Sequence, residues 1–183
     1  EQELEMIIRA KPDYIAIDGT EGGTHGNLGA SLDALGLPTL YALVRARRFL
    51  EKKRLSGKIS LLVGGGLYSS MDFLKALALG ADAVFIGTIA LLTLVHTQAI
   101  KVFPWEPPTT LIFNQGRLKQ KLSIDQGAQS LANFLKASIQ EMQITALTLG
   151  KNHLSRIDKS DLSSVNRELA TYLGIKWCGD PVV

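Results

Sequence analysis

Apolar positions along the chain alternate between two periods. Leu4, Ile7 and Ile8 recur at helical spacing over residues 3–10, and Pro12 ends that helix. "DYIAID" (13–18) then reads as a buried strand, and a second helical pattern runs over 39–53 through Leu40, Leu43, Val44, Arg47 and Leu50. "KISLLVG" (58–64) is apolar almost throughout, as parallel strands covered on both faces are. A helix follows in "SSMDFLKALALG", with Ser69 or Ser70 at its N-cap and Gly80 at its C-cap. "ADAVFIGT" supplies a third strand over 82–87, and "IALLTLVHTQAI" a third helix after it. Strands alternating with helices over loops of this length predict right-handed βαβ units and a parallel sheet.

Near Lys101 the alternation stops. "FPWEPPTT" (103–110) holds three prolines in eight residues, which excludes regular helix and central strand. An irregular stretch, "LIFNQGRLKQKLS", leads to a long helix over 126–149, capped by Ser123 or Asp125, with Leu131, Phe134, Leu135, Ile139 and Met142 as its apolar stripe. The remainder reads as a helical hairpin-like tail whose last helix starts at Ser160 or Asp161. Three strands cannot close a barrel, which takes about eight βα units and roughly 250 residues. If the sheet belongs to one, more than half of that barrel is outside these 183 residues.

Composition changes this picture little. With 46% hydrophobic and 20% charged residues the chain can bury a real core. Its formal net charge is +3, and the densest basic run, "RARRFLEKKR" (45–54), reads as a solvated helix face. Its one aromatic residue, Phe49, is too little to stack successive bases, so no nucleic-acid partner is expected. One cysteine, Cys178, excludes an intrachain disulfide and fits a reducing, cytoplasmic setting. No apolar run reaches the roughly 18 residues of a membrane span. The opening "EQELEMIIRAKPD" lacks Met and reads as the middle of a helix, so we expect a piece of a longer protein, with anchors or targeting signals upstream left open.

The candidate chemistry lies where strands end. "VGGGLYSS" (63–70) and "IGTIA" (86–90) place glycines at the C-terminal ends of two successive parallel strands. Unpaired amides and the positive end of a helix dipole meet there, and glycine lets a ligand approach without meeting a Cβ. Gly64, Gly65, Gly66, Gly87 and Thr88 would offer amides to a phosphate, with the Ser69 and Thr88 hydroxyls as further donors. The alternative is that these glycines only make tight βα turns. Three scattered histidines give no metal-ligand spacing, so no metal site is expected. No Gly-x-Gly-x-x-Gly fingerprint follows a strand either.

Taken in order, "IDGTEGGT", "GLPTLYALVRARRFL", "ISLLVGGGLYSSMDFLKALALGADAVFIGTIALL", "SLANFLKASIQEMQITALTLGKNHLSRIDKSDL" and a final "GI" resemble the C-terminal part of the FMN-binding domain of the glutamate synthase family, with a break at about 96–122. The resemblance implies an α/β fold: strands six to eight of a (β/α)8 barrel over 1–100, a Pro-rich insert over 101–123, and a C-terminal helical extension over 124–183. It implies FMN, its phosphate on the loops at Gly65–Gly66 and Gly87–Thr88. Asp18, Glu21, Gly22, Gly23 and Thr24 would line the flavin and substrate site, with Glu21 and His25 as acid–base candidates. Each has a plainer reading, as a loop residue that hydrogen-bonds its neighbours.

The implied activity is reductive formation of glutamate from 2-oxoglutarate and ammonia or glutamine-derived nitrogen, with an unidentified electron donor. A missing N-terminal barrel segment or partner chain would complete the barrel. Three departures qualify the transfer. The cysteines that hold an iron–sulfur cluster in the family are replaced by "VHTQAIKVFPWEPPTTLIFNQGRLKQKL", so no cluster is expected here. His25 stands where glycine is expected, and Tyr68 where arginine is common. Two alternatives stay open: a family-like binding or regulatory module without turnover, and an FMN barrel acting on another substrate. Trp105 and Trp177 are expected to be packing anchors. Gly65→Asp is expected to lower FMN affinity by placing a carboxylate against the phosphate.

Overall fold

The computed structural model describes residues 2–22, 35–113 and 115–180. After helix α1 (Gln2–Arg9), strand β1 (Tyr14–Asp18), helix α2 (Thr39–Lys52), strand β2 (Ser60–Gly64), helix α3 (Ser70–Ala78), strand β3 (Ala83–Val84) and helix α4 (Thr88–His96) follow in the alternation that the pattern predicts. The strands form one parallel sheet in the order β1-β2-β3, with Asp18 opposite Gly64 and Val63 opposite Val84. β3 is shorter than the 82–87 expected. It is bonded on one side only, through Asp82 N–H to Leu61 O (2.8 Å) and Phe85 N–H to Val63 O (2.9 Å), before the chain turns into α4.

The sheet is covered on one face. Ile15, Leu61 and Val63 are buried with Leu43, Leu50, Phe73 and Leu74 from α2 and α3. On the other face Tyr14, Ala16, Asp18, Ser60, Ala83 and Phe85 are exposed and Leu62 is half-buried. Burial on both faces was expected for β2; among the described residues nothing covers the second one.

Local signals fix the helix ends. Ser69 Oγ accepts from the Asp72 amide and the Asp72 carboxylate accepts from the Ser69 amide, a reciprocal capping box at the start of α3. α3 ends with Gly80 at φ +108°, where Gly80 N–H donates to Leu77 O and Ala81 N–H to Ala76 O. Arg47 departs from the solvated face predicted for the basic run. It is buried, its Nε donating to Gly80 O (2.6 Å) and its Nη2 to Asp82 Oδ2 (2.8 Å), so it holds the end of α3 against the start of β3.

Two further expectations change. Helix α5 (Ile124–Thr148) is present, N-capped by Ser123, but its buried stripe is Gly127, Leu131, Phe134, Ser138, Met142 and Ala146, with Leu131 and Phe134 only half-buried. Leu135 and Ile139 are 42% and 48% exposed. Small residues decide the face, because a Cβ at Gly127 would lie 3.1 Å from Leu94 O of α4. Ranking positions by hydropathy alone misses this. The tail is not a helical hairpin. Short 3₁₀ turns at Leu154–Arg156 and Lys159–Asp161 lead into β4 (Ser163–Ser164), then α6 (Arg167–Leu173) capped by Asn166, then β5 (Lys176–Trp177), parallel to β4. Among the described residues no helix is long and apolar enough to cross a membrane.

Replacing Ser69 by Ala removes one arm of the capping box. We expect a loss of about 1 kcal/mol in urea-unfolding free energy, with α3 otherwise retained by circular dichroism.

Candidate functional site

At the C-terminal edge of the sheet, the ends of β1, β2 and β3 surround a cavity of about 130 Å³. Its wall includes Gly65, Gly66, Gly87 and Thr88 together with Asp18 and Glu21. The two glycine turns therefore face one space. Thr88 is the first residue of α4 and Gly87 its N-cap, so the amides there have no partner within the helix. Among the described residues the amides of Gly65, Gly66, Gly87 and Thr88 donate to no protein acceptor.

The two turns are built differently. Gly65 has φ +103°, and a Cβ there would stand 2.7 Å from Thr39 Oγ1. Its freedom serves close packing of the strand ends as well as an open approach to the cavity. Gly87 has φ −118° and ψ −84°, and a Cβ there would meet nothing within 4 Å. Here the openness faces the cavity. Gly65→Asp would accordingly strain the backbone and drive into Thr39, so a fall in affinity in that variant would not isolate charge at the phosphate. Gly87→Asp does isolate it.

Thr39, at the first turn of α2, ties the edge together. It is 3% exposed. Its amide donates to Glu21 Oε2 (2.8 Å), and its single hydroxyl proton is shared between Glu21 Oε2 (2.7 Å) and Gly65 O (2.9 Å). Glu21 thus serves as an anion at the N-terminus of α2, where the helix dipole favours it. Partial burial pushes its carboxyl up, but the Thr39 hydroxyl and amide outweigh that and hold it below the usual value. A carboxylate so held is not a proton donor near neutral pH. Nothing in the sequence singles out Thr39; its position just after Pro38 at a helix start is the one available hint.

Asp18 ends β1 beside Gly22, where a Cβ would lie 1.9 Å from Asp18 Oδ1. Burial pushes the Asp18 carboxyl up, and no described group is hydrogen-bonded to it. The cavity wall contains no Lys or Arg, and Tyr68 stands in it half-exposed. Gly64 and Ser69 lie outside the wall. Gly64 is packed under the Phe85 ring, its carbonyl accepting from Gly19 N–H, and the Ser69 hydroxyl is taken by Asp72. Gly23, Thr24 and His25 lie outside the described residues.

A larger cavity of about 680 Å³ opens at the opposite end of β3, beside Arg47, Gly80 and Asp82. Arg47 there is already paired with Asp82, and Glu51 and Asp158 add negative charge to the wall, which makes it a poor receptor for an anion. Elsewhere, Trp177 is half-buried and belongs to neither apolar cluster, donating from Nε1 to Val165 O with the Arg167 guanidinium over its ring. Trp105 is not the packing anchor expected, being 89% exposed. His153 accepts from the Ser155 amide and His96 is exposed at the end of α4. Among the described residues no three His, Cys, Asp or Glu side chains gather as metal ligands would.

The depressed Glu21 acidity has a sign. Its bonds to Thr39 contribute stability in full above the ordinary carboxylate value of 4.5 and lose it as pH falls through the lowered value. An acid titration of the Thr39 amide resonance should therefore show its midpoint below 4.5. Glu21→Gln should abolish that transition; its survival would assign the titration to another group.

Known proteins share both the sequence and the fold. The pattern described as a conserved region in glutamate synthase matches residues 1–152, including the segment where the motif resemblance breaks. A glutamate synthase large subunit-like protein of Rhizobium meliloti is 31% identical over 95% of this chain and 43% of its own length. The archaeal glutamate synthase [NADPH] of Archaeoglobus fulgidus is 33% identical over 95% of this chain and 35% of its own. The archaeal-type glutamate synthase [NADPH] of Thermotoga neapolitana is 32% identical over 82% and 30%. The chain thus spans between 30% and 43% of the length of these relatives. Among solved structures, a mutant flavocytochrome b2 with pyruvate bound superposes with a TM-score of 0.52 at 18% identity, over 86% of this chain and 31% of that one, a likeness of fold alone.

Proposed function

Because this chain belongs to the glutamate synthase family, we propose that it is the phosphate-holding portion of an FMN-dependent oxidoreductase that forms glutamate from 2-oxoglutarate and ammonia or glutamine-derived nitrogen. The observation that carries this reading is the convergence of the Gly65–Gly66 and Gly87–Thr88 turns on one cavity. Its volume of about 130 Å³ is well below the roughly 300 Å³ at which whole-ligand pockets begin. It suits a phosphate head and not an entire flavin.

The residues present fit that head group. Amides at the N-terminus of α4 supply aligned donors with the helix dipole behind them. The Thr88 hydroxyl adds a donor at the same wall, and Thr39 with Glu21 fixes the Gly65 turn opposite. The wall lacks a cation, so the amides alone would offset the phosphate charge. Asp18 would accept from ligand hydroxyls, and in its protonated form donate to them. FMN, when bound and reduced, supplies a hydride for the imine of 2-oxoglutarate. This chain's part is to hold and orient that group. Electrons would come from outside these residues, whose single cysteine cannot hold an iron–sulfur cluster.

The exposed sheet face carrying Tyr14, Ala16 and Phe85 supports placing the chain as strands six to eight of a (β/α)8 barrel. An N-terminal barrel segment or partner chain would cover that face and bring the remaining site residues. A second reading, a binding module without turnover, draws on the cation-free wall and on Glu21 being committed to Thr39.

The full-length protein separates the two. The oxidoreductase reading expects a yellow protein that forms glutamate from 2-oxoglutarate and ammonia with a chemical reductant. Gly87→Asp should weaken FMN binding at least about 10-fold, through loss of charge-assisted bonds of roughly 1.5–3 kcal/mol, with unchanged circular dichroism. A colourless protein that takes up no FMN supports the binding module. Flavin reduction without glutamate formation points to another substrate. Full flavin occupancy in Gly87→Asp would place the phosphate elsewhere.

A further inference from the structure

The segment between α4 and α5 presents three of its large apolar side chains to solvent. Ile100, Phe103 and Trp105 are 83%, 61% and 89% exposed within six residues of sequence. They are displayed by a well-anchored frame. Val102, between them, is 4% exposed and packs with Val95 and Leu111. Buried Gln98 clamps the segment's end, accepting from the Ser123 amide (2.7 Å) and donating to the Ser123 carbonyl (2.9 Å). Glu106 pairs with Arg117 across the loop. Three large apolar side chains are thus displayed around a buried anchor, and none of the described residues buries them.

The charge around these side chains is one-sided. Residues 99–122 contain four of the chain's 20 basic residues, Lys101, Arg117, Lys119 and Lys121, and one of its 17 acidic residues, Glu106. The segment thus carries a formal net charge of +3 of its own, second to the basic run at 45–54, whose excess is offset elsewhere in the sequence. Lys101 and Lys121 bond to neutral oxygens, those of the Gln98 amide and the Lys101 carbonyl, so these bonds leave their charge uncompensated.

We propose that this segment docks on an anionic lipid surface, with Ile100, Phe103 and Trp105 entering the headgroup layer and the surrounding lysines facing lipid phosphates. Aromatic side chains with an apolar body and a polar edge settle at that interface, and basic residues beside them add attraction to anionic lipid. Side chains this exposed need no matching socket to enter lipid, and the basic excess beside them favours an anionic surface. α4 spans roughly 13 Å at 1.5 Å per residue, so docking would hold the membrane within about one short helix of the candidate phosphate cavity.

The test uses the full-length protein with vesicles of brominated phosphatidylcholine, with and without phosphatidylglycerol. We expect quenching of the Trp105 signal, identified by its loss in Trp105→Phe, on the phosphatidylglycerol vesicles. Affinity there should be roughly 100-fold above phosphatidylcholine alone, from about three net charges. The gain should fall with salt and in Lys119→Glu/Lys121→Glu, while FMN content stays unchanged. Absence of Trp105-dependent quenching, or equal quenching on both vesicle types, overturns the proposal. So does concentration-dependent self-association lost in Trp105→Ser, which would assign the segment to a second copy. Shielding of Trp105 from acrylamide in the full-length protein without vesicles would assign it to another part of the same protein.

Discussion

One buried hydroxyl ties together the glycine-rich edge of this sheet. Thr39 shares its proton between Glu21 on the loop after β1 and the Gly65 carbonyl on the loop after β2, while its amide anchors Glu21 at the head of α2. A loop end, a glycine turn and a helix start are thereby fixed by a single side chain with no slack, and Gly65 has no room for a Cβ beside it. The Gly87–Thr88 turn is set separately, by the entry of β3 into α4. The cavity exists because these two independently fixed turns face each other.

That division explains which parts of the site were legible in the sequence. Glycines after apolar runs marked both turns, because a strand that feeds a helix through a tight loop leaves a strong local signature. The Thr39–Glu21 pairing spans 18 residues and uses ordinary side chains, so no local pattern announces it. The same holds for Arg47. It shares the helical spacing of Leu43, Val44 and Leu50, but its reach to Gly80 and Asp82, 33 and 35 residues on, leaves no local signature within a basic run. Gly64 and Ser69 carried the right chemistry for an anion site, but packing under Phe85 and capping of α3 claimed them. In α5 the close approach at Gly127 overrode hydropathy, and in the tail two-residue strands gave too short a pattern to read.

The fold places constraints beyond the site. The three-stranded parallel sheet has one covered face among the described residues, and the chain spans at most 43% of the length of the relatives compared. The flavocytochrome b2 likeness covers 31% of that chain, which agrees in scale. The covered face and the helix caps are formed by the described residues themselves; on the proposed barrel reading, the open face and the small cavity are what further βα units would finish. The insert between α4 and α5 contributes to neither. It keeps its own small core of Val95, Val102 and Leu111 and turns its aromatic side chains outward.

The central claim is that amides from two successive βα turns hold one phosphate. A crystal structure of the full-length protein with FMN tests it most directly. The account predicts phosphate oxygens within hydrogen-bonding distance of amides from both turns, at Gly66 and at Gly87 or Thr88, with Thr39 still bonded to Glu21. A phosphate bound elsewhere, or the space between the turns filled by the Tyr68 or Phe85 side chain, would contradict it.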